Sequence, residues 1–230
     1  MDIKGFQKLT LLDFPGKVAC TVFTGGCNFR CPFCHNSSLV VDIKNAPSIS
    51  QTEIINYLEK RKGILDGVCV SGGEPLMQKN LKRFLTKVKE LGYQIKIDTN
   101  GSYPDILQSL IDQKLVDYVA MDIKNSPEKY ALTTGLANID LDKIKQSVNI
   151  LMDSNIDYEF RTTTVKEFHT KQDFEAIAKW LKESKKYFLQ NYKDSENVLQ
   201  KGLHSLSKNE LIEAKTILKQ YIDNVFIRSE

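Results

Sequence analysis

The sequence predicts an α/β protein, an open partial (β/α)6 barrel of the TIM type, from three observations. Short strands rich in β-branched residues alternate six times with amphipathic helical segments, which indicates βαβ units and a parallel sheet. Strands such as 68–70 are apolar throughout, as in a sheet that helices cover. Six units are two fewer than a closed barrel needs. A flat doubly wound sheet stays open as an alternative, because periodicity does not separate the two.

The elements follow from local patterns along the chain. Apolar stripes at helical spacing follow the strands, and Ser50-x-x-Glu53 and Ser207-x-x-Glu210 are capping boxes that begin two of the helices. The run Leu9 to Phe14 ends in a Pro-Gly turn and is not predicted to be a strand. The apolar residues 225–227 form either an edge strand or a packed terminus. The six predicted strands cover residues 18–24, 68–71, 94–98, 116–123, 156–165 and 187–189.

Composition narrows the class of protein. The chain has 230 residues, of which 41% are hydrophobic and 27% charged, with a formal net charge of +3. These values are ordinary for a globular protein, and the small charge predicts no nucleic-acid partner. No stretch is apolar enough to predict a membrane span, and the N-terminal residues, which include Asp2 and Lys4, do not predict a signal peptide. Five cysteines without secretory features favour a reduced, cytoplasmic location. We expect one domain over residues 1–230, with a cysteine loop at 25–46 and a less recognisable helical tail from about 191.

The densest chemical signal is C-x3-C-x2-C, formed by Cys27, Cys31 and Cys34. Three thiolates on one loop suit an iron–sulfur cluster with one iron open for another ligand. Zinc is the alternative, but it commonly takes four protein ligands, so His35 or Cys69 would have to be recruited. Chance clustering of structural cysteines is the third reading.

Other polar clusters fall at the ends of the predicted strands, where sites of parallel α/β folds lie. They combine bare backbone, carboxylates and cations, a mixture that suits a zwitterionic ligand. No G-x-G-x-x-G or Walker motif is present to indicate a nucleotide bound through its phosphates. The candidates are Gly72, Gly73, Glu74, Asp98, Thr99, Asn100, Asp122, Lys124 and Arg161.

The run C-N-F-R-C-P-F-C-H-N, followed by G-G-E-P, D-T-N-G and M-D-I-K, resembles the radical S-adenosylmethionine superfamily. Within it, the sequence is similar to the activating enzymes of glycyl radical enzymes. It is most like the longer form of anaerobic ribonucleoside-triphosphate reductase activating protein. The likeness extends from about Gly5 to Leu189, and the tail beyond it carries little recognisable pattern.

The resemblance implies a [4Fe–4S] cluster on the three cysteines, with S-adenosylmethionine completing the fourth iron. It places Phe33 beside the adenine, Gly72 to Glu74 at the methionyl ammonium and Lys124 at the carboxylate. Asp98, Thr99 and Asp122 match positions that contact the cofactor and a monovalent cation. In the pyruvate formate-lyase activating enzyme a histidine near the sixth strand also contacts the cofactor. Residues 189–193 offer no such histidine here.

The implied reaction is reductive cleavage of S-adenosylmethionine to a 5′-deoxyadenosyl radical, which then takes a hydrogen from a glycine of a partner enzyme. The partner is expected to be the anaerobic reductase, and flavodoxin or ferredoxin the electron donor. The alternatives are a pyruvate formate-lyase-type partner or a small substrate such as a deazapurine precursor. A zinc-stabilised binding module is the rival from another class of function.

Five further residues are expected to have no part in the site. Cys20 and Cys69 alternate within apolar strands and are expected in the core, as is Trp180. His169 and His204 lie in polar stretches and are expected to be solvated.

Overall fold

The computed structural model describes residues 1–43 and 46–228, and it contains one eight-stranded sheet. The strands lie side by side in chain order, β1 antiparallel to β2 and all later neighbours parallel. The two edges, β1 and β8, do not pair with each other within this described sheet. The prediction of an open, partial α/β barrel is therefore confirmed. The strands are β1 (Ile3–Thr10), β2 (Ala19–Thr24), β3 (Gly67–Gly72), β4 (Gln94–Thr99), β5 (Tyr118–Asp122), β6 (Asp157–Thr164), β7 (Tyr187–Asn191) and β8 (Val225–Arg228).

The helices connect successive parallel strands. Ser207 and Glu210 form the predicted capping box, and Ser50 Oγ accepts from the N–H of Glu53 at 3.1 Å. In the described part of the chain no helix is long and apolar enough to cross a membrane. The helices are α1 (Ser37–Val40), α2 (Gln51–Glu59), α3 (Leu81–Glu90), α4 (Pro104–Asp112), α5 (Tyr130–Thr134), α6 (Leu141–Asp153), α7 (Lys171–Trp180) and α8 (Lys208–Leu218), with short 3-10 helices at Pro75–Met77 and Pro127–Lys129.

The six predicted strands correspond to β2 through β7, and the structure adds one strand at each edge. β1 was not predicted because register shifts between Ile3 and Gly5 and between Gln7 and Thr10 break its alternation. The residues at the C-terminus that stayed open between strand and packed end form β8, parallel to β7.

One face of the sheet carries the main apolar core. Val68 and Val70 of β3 and Ile97 of β4 are fully buried and pack in one cluster with apolar side chains of the helices. Cys20 lies in this cluster, as predicted. Trp180 is only partly buried, and its ring meets that of Tyr130 edge-on at 6.1 Å.

The opposite face of the sheet is polar, apart from a small separate cluster of Phe14, Ala19, Tyr118 and Ala120. Cys69 is buried on this face as predicted, but its neighbour is an ammonium, since Lys96 Nζ lies 3.8 Å from its sulfur. Because alternate residues of a strand share a face, the inner face of β4 to β6 presents charged side chains where the outer face presents mainly apolar ones. The fold thus delivers charges to the carboxyl ends of the strands.

Candidate active site

The polar clusters predicted at separate strand ends converge on one cavity of about 270 Å³. It lies at the carboxyl ends of β3 to β7, beside the cysteine loop that follows β2. Phe33 also lines it, as do Thr163 and Gln190, which were not among the candidate residues. Thr163 belongs to the polar run of Thr162 to Thr164 beside Arg161, which was the available signal, whereas no pattern indicated Gln190. The predicted residues in the lining are Cys27, Cys31, Cys34, Gly72, Gly73, Asp98, Thr99, Asn100, Asp122, Lys124 and Arg161.

The cysteine loop is held by its neighbours through close backbone contacts. The N–H of Glu74 donates to the carbonyl of Gly26 at 2.8 Å, and a Cβ at Gly73 would lie 1.9 Å from that carbonyl oxygen. On the other side, the N–H of Arg30 donates to the carbonyl of Thr134 at 2.9 Å. Only glycine permits the approach at position 73, so the Gly-Gly pair positions the cysteine loop against β3.

The three thiols of the loop are free and open into the same cavity. Burial raises the pKa of Cys31 to about 12 and raises the pKa of Cys27 and Cys34, while the Lys124 ammonium lowers all three. The thiols are therefore protonated until a metal displaces the protons, as metal-linked ionisation requires.

The donor set fits a [4Fe–4S] cluster better than zinc. Among residues 1–43 and 46–228, no three His, Cys, Asp or Glu side chains converge to hold a single metal ion. A structural zinc site needs four such ligands around one point. In a cubane cluster each thiolate binds a different iron, so three thiols around one cavity need not converge. In the described residues His35 does not converge with the thiols on one point, and its Nε2 donates to the carbonyl of Lys193 at 2.7 Å.

Five charged side chains form a paired network on the cavity floor. Arg161 bridges two carboxylates: its Nη2 lies 3.4 Å from Asp98, and its Nε donates to Asp122. Lys96 pairs with Asp98, and Lys124 Nζ donates to Asp122 at 2.8 Å. The network thus compensates both carboxylates with protein cations.

The pKa shifts agree with this pairing. Burial acts to raise the pKa of Asp122, but Arg161 and Lys124 lower it well below its usual range. Burial also acts to raise the pKa of Asp98, and Arg161 and Lys96 lower it overall. The resemblance implied a monovalent cation at Asp98, Thr99 and Asp122. In the structure Arg161 already bridges the two carboxylates, and the monovalent cation stays a prediction.

Glu74 has a different position from the other candidates. It does not belong to the cavity lining and is 1% exposed. Its carboxylate accepts from Thr99 Oγ1 at 2.8 Å and from the N–H groups of Asn100 and Leu76 at 2.7 and 3.0 Å. Burial raises its pKa to about 7. The carboxylate therefore joins the end of β3 to the end of β4.

Two residues contribute in ways that the sequence did not indicate. Lys96 is 2% exposed and lies beneath the cavity. Its position two residues before Asp98 in an apolar strand places both side chains on the same face, and this spacing could have identified it. His169 is buried, so the prediction of solvation is wrong. Its Nδ1 accepts from the N–H of Val165 at 3.1 Å, and its Nε2 donates to the carbonyl of Lys124 at 2.9 Å. His204 is exposed and lies 2.7 Å from Glu167.

The model of the radical SAM superfamily matches residues 21–181 of the chain. The chain belongs to this superfamily. A protein of Methanocaldococcus jannaschii, provisionally named a glycyl-radical enzyme activating enzyme, is 36% identical over 99% of this chain and 95% of its own length. The pyruvate formate-lyase-activating enzyme of Listeria monocytogenes is 32% identical over 59% of this chain and 58% of its own.

A solved structure supports the fold. Streptococcus suis SuiB bound to S-adenosylmethionine superposes with a TM-score of 0.63 at 17% identity, over 90% of this chain and 49% of SuiB. The chain thus spans about half the length of that neighbour. Membership of the radical SAM superfamily brings a [4Fe–4S] cluster and S-adenosylmethionine as cofactors, which the three-thiol cavity fits. The finer likeness to the longer reductase-activating protein stays a prediction.

Proposed function

We propose that this protein is a glycyl radical enzyme activase whose partner is anaerobic ribonucleoside-triphosphate reductase. The observation that carries the proposal is the cavity in which three thiols meet a compensated set of charges at the strand ends. The relative from Methanocaldococcus jannaschii supports an activase over nearly the full chain. The cofactors, when bound, supply the reductive cleavage that yields methionine and a 5′-deoxyadenosyl radical.

In this proposal the chain orients the cofactors and excludes water from them. Cys27, Cys31 and Cys34 would hold the [4Fe–4S] cluster and would leave one iron for the amino acid part of S-adenosylmethionine. The half-buried backbone of Gly72 and Gly73, which lines the cavity, would receive its ammonium. The Glu74 carboxylate is already engaged by three donors, so its part is to hold that backbone in place.

The remaining residues bind the rest of S-adenosylmethionine. Lys124, which donates to Asp122 at 2.8 Å, would also bind the carboxylate of S-adenosylmethionine. Phe33 is buried in the wall of the cavity and would pack beside the adenine. Asp98 and Arg161 stay paired on the floor. Because the floor is already charge-compensated, its dipoles need no rearrangement when the cofactor binds.

Thr99 and Asn100 complete the set at the end of β4. The side chain of Thr99 is engaged with Glu74, and Asn100 Nδ2 donates to Asn28 Oδ1 at 2.9 Å in the cysteine loop. Their part in the proposal is to fix the distance between the cluster side and the S-adenosylmethionine side of the cavity.

A protein substrate suits an open sheet, since a glycine-bearing loop of the partner must reach the cavity. The proposal includes flavodoxin or ferredoxin as electron donor and a cytoplasmic location. It also treats residues 1–230 as one domain, which a single sheet drawing strands from both ends of the chain supports.

The test mixes the anaerobically reconstituted, reduced protein and S-adenosylmethionine with the reductase or with pyruvate formate-lyase. We expect a glycine-centred doublet by electron paramagnetic resonance with the reductase. A doublet with the lyase alone would overturn the choice of partner. Turnover of a small molecule without either doublet would overturn the activase assignment. The Cys31→Ala variant should give no signal, and the Cys20→Ala variant should retain it.

A further inference from the structure

The chain between β7 and α8 forms a loop whose two ends are held together, a closure that the sequence did not indicate. We call residues 192–206 the strap. Asn191, at the end of β7, joins its two ends: Nδ2 donates to the carbonyl of Leu206 at 2.8 Å, and Oδ1 accepts from the N–H of Leu206 at 3.0 Å. The side-chain amide thereby makes the two hydrogen bonds that a backbone N–H and carbonyl would otherwise make with Leu206. A compact surface loop with its ends held together is an Ω-loop, a type that is frequently functional.

The strap is packed rather than loosely exposed. Tyr192, Val198 and Leu203 are 1%, 6% and 4% exposed and belong to the main apolar cluster. Inside the strap, Lys201 Nζ donates to the carbonyl of Ser195 at 2.8 Å. These contacts give the strap a defined shape of its own.

The strap docks on the cysteine loop at three points around one thiol. The N–H of Gln200 donates to the carbonyl of Pro32 at 2.9 Å. His35 donates to the strap through its bond to Lys193, and its ring stacks on that of Tyr192 at 5.6 Å. Ser37 Oγ donates to the carbonyl of Asn197. Because positions 32, 35 and 37 flank residue 34, the strap fixes the segment that carries Cys34.

We infer that the strap holds the Cys34 segment in its cluster-binding conformation and shields the cluster on the side of β7, with Asn191 and His35 as positioning residues. The segment 25–36 has no helix or strand of its own, so its backbone depends on neighbours for hydrogen bonds. A strap closed by Asn191 supplies them before any iron arrives. The inference concerns the cluster alone and does not depend on which partner enzyme is activated.

The first test is limited trypsin digestion of the cluster-free full chain. Arg30 lies in the cysteine loop, outside the strap, so cleavage after Arg30 reports on the loop itself. In Asn191→Ala, which removes both bonds to Leu206 and the acceptor of the Thr164 hydroxyl, we expect this cleavage to accelerate on the order of tenfold. Asn191→Asp keeps the acceptor and loses the donor, so its rate of cleavage after Arg30 should lie between the rates of the parent protein and of Asn191→Ala. The matched control is Asn224→Ala, which removes one amide bond to the carbonyl of Lys185 and should cleave after Arg30 like the parent protein.

Digestion also separates two kinds of loosening. If only Lys193 and Lys201 are cut faster in Asn191→Ala, the strap opens without releasing the cysteine loop, and the inference is overturned. An unchanged rate at all three sites overturns it as well.

The second test uses the reconstituted protein and follows loss of the cluster absorbance near ~400 nm in air. We expect Asn191→Ala and His35→Ala to bleach several times faster than Asn224→Ala. His35→Gln keeps a donor able to reach the Lys193 carbonyl and should bleach at a rate close to that of the parent. Equal rates in all variants would show that the strap does not shield the cluster.

Discussion

A single methyl group at Gly135 tests how the cysteine loop is held from the side of α5. Gly135 ends α5 with φ +68°, and a Cβ there would lie 2.2 Å from the carbonyl oxygen of Arg30. The neighbouring Thr134 carbonyl accepts the N–H of Arg30 at 2.9 Å. In Gly135→Ala one of the two backbones must therefore move by about 1 Å, since nonbonded atoms prefer about 3.5 Å.

The expected cost has two parts. The left-handed backbone costs about 1 kcal/mol once a Cβ is present. Displacing the loop against its packing adds about 2 kcal/mol. Gly63→Ala isolates the first part, because Gly63 has φ +77° and nothing within 4 Å of the added atom. We expect Gly63→Ala to lower the free energy of unfolding by about 1 kcal/mol and Gly135→Ala by about 3 kcal/mol.

Urea titration of the cluster-free variants measures these losses, and iron bound after anaerobic reconstitution measures the effect on the site. Gly135→Ala should bind less iron than the parent protein, whereas Gly63→Ala should bind the same amount. If the two variants match in both stability and iron, α5 does not position the cysteine loop and the reasoning fails.

Three further predictions address the site. Cys31→Ala should abolish both iron binding and the cleavage of S-adenosylmethionine, which product analysis measures. Cys20→Ala should keep the cluster and lower the free energy of unfolding in urea by about 1–2 kcal/mol. Full cleavage by Cys31→Ala would refute the cluster assignment. Lys96→Met should lower the free energy of unfolding by about 3 kcal/mol, because it leaves Asp98 with one cation fewer. Adding Asp98→Asn to this variant should recover part of the lost stability. A loss under 1 kcal/mol in Lys96→Met would contradict a buried ion pair. Burial raises the pKa of Glu74 to about 7, so its contribution to stability is fully present below the unfolded pKa of about 4.5 and is lost as pH rises through 7. Between pH 4.5 and 8, the free energy of unfolding of Glu74→Gln should therefore rise by about 3 kcal/mol relative to that of the parent protein, as measured by urea titration of cluster-free protein. Parallel pH profiles of the two proteins would show that the pKa of Glu74 does not make stability depend on pH.

The sequence predicted the parts of the fold that depend on local pattern. The apolar run 68–71 became β3, and the polar residues after it reached the cavity, because strand alternation and βα order place them there. β1 escaped prediction because its register shifts break the period of two. His169 was misread for a different reason: its neighbours in sequence are polar, while its burial comes from Phe174 and from the β5 side of the fold. Contacts of that kind are set by tertiary packing, which local pattern does not contain.

The inner face of the sheet explains why the site residues could be found while their partnerships could not. Alternation puts Lys96 with Asp98 on one face of β4, and Glu159 with Arg161 on the same face of β6. Glu159 is buried and accepts from Tyr118 Oη at 2.8 Å, so the charges of this face are satisfied from β5 as well. The sequence shows which side chains share a face. Which carboxylates Arg161 bridges, however, depends on the spacing and twist of adjacent strands. A floor compensated in this way keeps its charges fixed at neutral pH, and that constancy is what a cofactor with both an ammonium and a carboxylate needs from its binding site.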